Sequence, residues 1–144
     1  MIYTLIKTLH LLAAIAFVGT LFVQVVILWS ASRSLDGSVR QQLSQGIGQR
    51  ARKVIHWVAL VLYGAGFMLA MQYKPLLADP SATRFGTLLS IKILLALLII
   101  GHYVALIFLR RGSRIGERGM HLLNISLLVH AVLVVVIAKF MFVL

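Results

Sequence analysis

Four long apolar stretches dominate the sequence and leave few folds open to it. They cover about residues 2–30, 54–72, 85–109 and 120–144 of the 144-residue chain. A helix needs about 20 apolar residues to cross the hydrocarbon core of a bilayer, and each stretch is close to that length or longer. Backbone N–H and C=O groups find no water in lipid, so such stretches are expected to be helical. We therefore predict an all-α, integral membrane four-helix bundle that forms a single domain.

Composition agrees with a chain that is solvated by lipid. Hydrophobic residues make up 61% of the sequence and charged residues only 12%, whereas soluble domains are about 45–50% apolar. The first apolar stretch is longer than the core of a secretory signal, and we expect it to be retained as a span. We find no internal repeat beyond the helical hairpin and no region that predicts a soluble domain.

The basic residues predict the topology of the four spans. The net charge of +11 comes largely from residues that flank the apolar stretches, a distribution typical of membrane proteins rather than of nucleic-acid binding. The connection 31–53 carries five Lys and Arg residues and the connection 110–119 carries four, against two in 73–84. By the positive-inside rule, the first and third connections are cytoplasmic. This predicts an up-down-up-down bundle with both termini outside, and we expect a bacterial inner membrane, in which that side is the periplasm.

His10 and Lys92 are expected to lie at similar depths in the outer half of the bundle. Counted from the outer ends of their spans, they are about 12 Å and 10 Å deep, respectively. A lysine at this depth is expensive, and the three acidic residues, Asp36, Asp79 and Glu117, all lie in connections. We therefore expect Lys92 either to extend towards the membrane surface or to meet a bound group, and we favour a group shared with His10.

The remaining histidines supply further candidate ligands. Depth alone places His56 and His102 in the inner half of the bundle, and we predict that they approach each other there. His130 lies mid-membrane with Ser126 on its helical face, whereas His121 is expected at the membrane rim. Five histidines among four spans suit haem, because facing helices can supply axial imidazoles.

Methionines offer a second kind of ligand. Met68 and Met71 share a face near the outer end of the second span, and Met141 lies near the outer end of the fourth. Thioethers suit Cu(I), so a copper site would combine His10 with one or more of these methionines.

The sequence has no cysteine, which excludes disulfides and thiolate metal sites. Without carboxylates inside the spans or a phosphate-binding loop, hydrolase, transferase and nucleotide-hydrolysing activities are not expected.

Two segments carry a resemblance to known membrane families. The segment LIKTLHLLAAIAFVGTLF, residues 5–22, resembles the opening helix of CopD-like copper-resistance proteins and of HemJ-type protoporphyrinogen oxidases. The segment SIKILL, residues 90–95, is similar to their third helix, including its lysine. Phe17 and Thr20 stand where those families usually have tryptophan and a second glycine. The resemblance implies a four-span layout and roles for His10 and Lys92 in a haem or active site.

These observations favour a haem b-binding, redox-type membrane protein of the CopD/HemJ-like group, with His10, Lys92, His102, His56 and His130 as candidate cofactor-binding residues. A haem-dependent oxidoreductase activity stays open. Copper transport or resistance, through His10, Met68, Met71 and Met141, is the first alternative, and a cofactor-free accessory subunit is the second. We expect lipid as the main partner, quinone or porphyrin as candidate ligands, no nucleic acid, and a homo-oligomer as an open alternative.

The topology makes a direct prediction. A reporter fused after Leu144 should be active when it requires the periplasm and silent when it requires the cytoplasm, because the connections with five and four basic residues hold the opposite ends inside. A fusion within 31–53 serves as the cytoplasmic control. A cytoplasmic signal from the C-terminal fusion would contradict the assigned depths of His10 and Lys92.

Overall fold

The chain is almost entirely helical. A computed structural model describes residues 1–112 and 115–143; 88% of these residues are helical and none lies in a strand. The helices are α1 (Ile2–Phe22), a π-helical segment (Val23–Leu28), α2 (Trp29–Ser32), α3 (Gly37–Gln72), α4 (Lys74–Ala78), α5 (Arg84–Arg111) and α6 (Glu117–Phe140). The predicted all-α class is confirmed.

Within the part of the chain that the structure describes, four helical stretches are long and apolar enough to cross a membrane. They are Ile2–Ser32, which joins α1, the π-helical segment and α2, then α3, α5 and α6. The first and third of these match the predicted spans, 2–30 and 85–109, to within two residues at each end. The helix predicted over 120–144 begins at Glu117 and ends at Phe140, followed by turns, and Leu144 lies outside the described residues.

The first connection differs from the prediction. Residues 31–53 were expected to link two spans, but α3 begins at Gly37 and continues through the second apolar stretch to Gln72, so only residues 33–36 leave the helix. Hydropathy marks where a helix leaves lipid rather than where it ends. Val39, Leu43 and Ile47 recur every four residues in this polar segment, which is the spacing of one helical face.

Two side chains help to close the turns at the ends of α3. Before it, the Arg40 guanidinium donates from Nε to the Ser32 carbonyl over 3.1 Å, so α3 is tied to the end of α2. After it, Pro75 lies in the first turn of α4, where its missing N–H leaves no hydrogen bond unmade. Proline cannot continue a helix, so the sequence Lys74-Pro75 predicts an end to the second helix here, and α3 does end at Gln72.

The chain divides into two compact units, Met1–Gln72 and Tyr73–Leu144. In the first, His10 contacts Leu62 while Thr20 lines a groove with Arg50, so α1 and α3 are antiparallel. In the second, Phe85 contacts Phe142 and His102 contacts His130, so α5 and α6 are antiparallel as well. The single-domain prediction stays a prediction.

Each unit has its own set of buried apolar side chains. In α1 and the π-helical segment they recur every four residues, at Ala13, Phe17, Leu21 and Val25, with Leu21 only 1% exposed. In the second unit, Leu127 is 2% exposed and is followed one turn later by the buried Ala131. No described polar or charged residue is fully buried.

Candidate functional site: histidines on paired helices

His10 reaches from α1 to the backbone of α3. Its Nδ1 lies 2.9 Å from the Leu62 carbonyl oxygen, and the side chain is half-buried. A carbonyl can only accept a hydrogen bond, so Nδ1 carries the hydrogen. In the neutral imidazole, Nε2 then carries the lone pair. The contact to α3 therefore fixes both the ring orientation and the tautomer of His10.

Gly66 makes room for this ring. A Cβ atom at position 66 would lie 3.0 Å from Cε1 and 3.3 Å from Nδ1 of His10, which is closer than ordinary van der Waals contact. The glycine lies one turn after Leu62 on α3, so acceptor and space are on the same helical face. Together they form a seat for one imidazole between two antiparallel helices.

Histidines that bind metals have this arrangement. Such a histidine usually donates its second ring N–H to a carbonyl or carboxylate, which orients the ring and makes the ligating nitrogen more basic. The Leu62 carbonyl has that position relative to His10. The same hydrogen bond also satisfies a histidine that only packs, so the ligand role of His10 stays a prediction.

Lys92 lies on α5, eight residues after its start, and is half-buried. The carboxylates lie at helix ends, as the sequence indicated: Asp36 directly precedes α3, Asp79 follows α4 and Glu117 begins α6. Asp79 accepts a hydrogen bond from the Ser81 hydroxyl at 2.8 Å. His10 and Lys92 belong to different units, and a bound group shared by them stays a prediction.

A second histidine arrangement lies between α5 and α6. The rings of His102 and His130 have centroids 5.7 Å apart and planes tilted by 38°. His130 donates from Nδ1 to the Ser126 carbonyl over 2.7 Å, which leaves the lone pair of the neutral ring on Nε2. Nε2 of His102 is buried and has no hydrogen-bond partner among the described residues. A buried, unsatisfied imidazole nitrogen is costly unless something pairs with it.

Sequence reasoning did not find this pair, although a signal for it was present. α5 ends at Arg111 and α6 begins at Glu117, and the two histidines lie nine residues before the first of these ends and thirteen after the second. In an antiparallel hairpin, residues at similar distances from the turn come level. Depth relative to the membrane paired His102 with His56 instead. Those two residues lie in different units, so their predicted approach is not decided here.

The other predicted ligands have separate surroundings. His56 is exposed, and its Nδ1 donates to the Arg52 carbonyl of its own helix over 2.6 Å. Met68 and Met71 are about half-exposed on α3, whereas Met141 is buried in the second unit. Among residues 1–112 and 115–143, no group of three or more His, Asp or Glu side chains is arranged to hold a metal ion.

Comparison with protein-family models, with curated proteins and with solved structures finds no match to this chain.

The close approach of His10 to Gly66 predicts opposite effects on stability for alanine substitutions at Gly66 and Gly64. Gly66→Ala should be at least about 1 kcal/mol less stable than Gly64→Ala, because the new methyl group overpacks against His10. At Gly64 a Cβ atom meets nothing within 4 Å, so that variant should gain the helix propensity of alanine. Unfolding in detergent, followed by circular dichroism, measures the difference. In a His10→Ala background the difference should vanish, and its persistence there would contradict the proposed contact.

Proposed function

We propose that this protein is a haem b-binding, redox-type protein of a bacterial inner membrane, related to the CopD/HemJ-like group, with His10 as an iron ligand. The hydrogen bond from Nδ1 of His10 to the Leu62 carbonyl carries the proposal. It fixes the orientation of the imidazole against the neighbouring helix and, in the neutral ring, places the lone pair on Nε2. Haem b, when bound, supplies one-electron redox chemistry at its iron.

The membrane placement is part of the proposal. Four apolar helices and the antiparallel pairing within each unit support an up-down-up-down bundle. The surplus of basic residues in 31–53 and 110–119 supports cytoplasmic ends for α3 and α5 and periplasmic termini. Arg114, one of the basic residues counted, lies outside the described residues.

Lys92 would bind the acidic part of the cofactor. An ammonium group in an apolar helix needs an anionic partner or access to water, and haem carries two propionates. Lys92 is the one basic residue in the interior of α5, between Arg84 and the terminal Arg110 and Arg111. Donation from its ammonium to a propionate would lower the cost of placing the lysine at this depth.

The haem proposal is tested by the absorption of the purified protein. We expect a Soret band that shifts on reduction with dithionite in the wild type. His10→Ala should lose at least about nine-tenths of the bound haem, because the ligand itself is removed. Lys92→Met keeps the side-chain length and should weaken haem retention several-fold through loss of the charged hydrogen bond. His121→Ala, near the start of α6, is the control and should keep the wild-type spectrum. A colourless wild type, or an unaltered spectrum in both variants, would refute the proposal.

A second candidate function, binding of copper or a similar metal ion, is favoured by the His102–His130 pair. Two imidazoles on one ion, with metal–nitrogen bonds of about 2.0–2.1 Å, have ring centres about 5–6.5 Å apart from tetrahedral to linear coordination. The separation of 5.7 Å lies in that range. Imidazole nitrogen suits copper and zinc, and an ion on His102 would satisfy its buried Nε2.

Variants can distinguish a metal site at the His102–His130 pair from one at the methionines. His102→Leu should lower copper retained after dialysis at least about tenfold if the pair holds the ion. Met68→Leu with Met71→Leu preserves volume and should leave retention unchanged in that case. The reverse result would support the thioether site with His10. Protein that binds neither haem nor copper would favour the accessory-subunit alternative. Metal content by atomic absorption gives the answer for each variant.

A further inference from the structure

In the first unit, an apolar helical surface lies beside a basic helical segment. The apolar run of α1 continues without a charged residue through the π-helical segment to Leu28. Thr20 of α1 lines the same groove as Arg50 of α3, so the end of this run lies level with residues 37–53 of α3. On the first helix at this level, Val23, Val26 and Ile27 are 42%, 46% and 50% exposed. One helix exposes apolar side chains here and the other carries basic residues, so neither water nor hydrocarbon alone is a favourable solvent for both.

A groove of about 660 Å³ lies between these two helices. It has two kinds of lining. Thr20, Gln42 and Arg50 are its polar lining residues, whereas Leu43, Ile47 and Val54 add an apolar strip along α3. The polar and apolar parts are contiguous, so the groove matches an amphiphile better than a small soluble ion.

The charge around the groove selects an anion. Residues 31–53 contain five basic residues and a single acidic one, Asp36. Arg50 is exposed and is one of the residues that line the groove. Arginine binds phosphate oxygens through two parallel N–H donors, so a phosphate is well suited to this position. Clusters of basic residues beside a membrane span are typical of sites for anionic lipids.

We infer that this groove binds one anionic phospholipid. Its phosphate accepts hydrogen bonds from Arg50, and an acyl chain covers Leu43, Ile47 and Val54 beside the exposed apolar residues of the π-helical segment. A zwitterionic lipid would leave the surplus positive charge uncompensated, and a free anion would leave the apolar strip uncovered. The inference uses residues of the first unit alone and does not depend on haem or metal binding.

The test compares two arginines of the same helix. Wild-type protein in detergent is incubated with phosphatidylglycerol or phosphatidylcholine of equal chain length, and retained lipid is counted by native mass spectrometry. We expect preferential retention of phosphatidylglycerol. Arg50→Gln should lower that retention at least about fivefold, because the phosphate loses a bidentate donor. Arg52→Gln removes the same charge two residues away, where the guanidinium lies near Gly48 outside the groove lining, and should keep retention within about twofold.

Two further measurements separate the site from general electrostatics. Arg50→Lys keeps the charge and should restore part of the preference, whereas Ile47→Gln keeps the net charge and should lower retention by interrupting the apolar strip. Glycerophosphate in excess should not displace the lipid. Equal losses in the Arg50→Gln and Arg52→Gln variants, unchanged retention in both Arg50→Gln and Ile47→Gln, or displacement by glycerophosphate would each overturn the inference. Circular dichroism of every variant shows whether the helices are intact.

Discussion

Backbone hydrogen bonding in an apolar chain governs the rest of this structure. Every N–H and C=O group in the four apolar stretches must be paired within the protein, and long helices satisfy this requirement locally. Few backbone N–H and C=O groups then remain as hydrogen-bond partners for side chains. Thr8 and Thr20 donate to carbonyls four residues earlier, and His130 does the same. Polar groups inside the helices are thus satisfied largely without contact to another helix.

His10 is a contrast to this pattern, because its imidazole donates to a carbonyl of the neighbouring helix. The ring of His10 reaches across to α3 beside Gly66, where a larger residue would crowd it. His102 shows the opposite situation, since its Nε2 is buried and lacks a partner among the described residues. The imidazole of His10 is therefore oriented by the protein alone, whereas His102 has a buried nitrogen with which a ligand could pair.

Much of the secondary structure was predictable, because the physics that sets it is local. The hydropathy of residues 85–109 placed α5 within two residues of its observed ends, and Pro75 marked the end of α3. The polar half of α3 escaped prediction because hydropathy measures the match to lipid, and its helical face of Val39, Leu43 and Ile47 was outweighed by its charges. The contacts between side chains were harder to predict from the sequence. The rotation of each helix about its axis determines whether His102 meets His130, and depth along the membrane contains no information about rotation.

The continuity of α3 links two parts of the first unit mechanically. Arg50 on the groove and Leu62 at the His10 seat are twelve residues apart on one helix, about 18 Å along its axis. No proline or turn interrupts the hydrogen-bonded ladder between them, so the segment resists twisting and bending as a stiff rod does. A rotation of α3 at the groove would therefore turn the Leu62 carbonyl through a similar angle and change its alignment with the imidazole of His10. Torsion of a single helix is thus a physical route between the groove and the imidazole of His10.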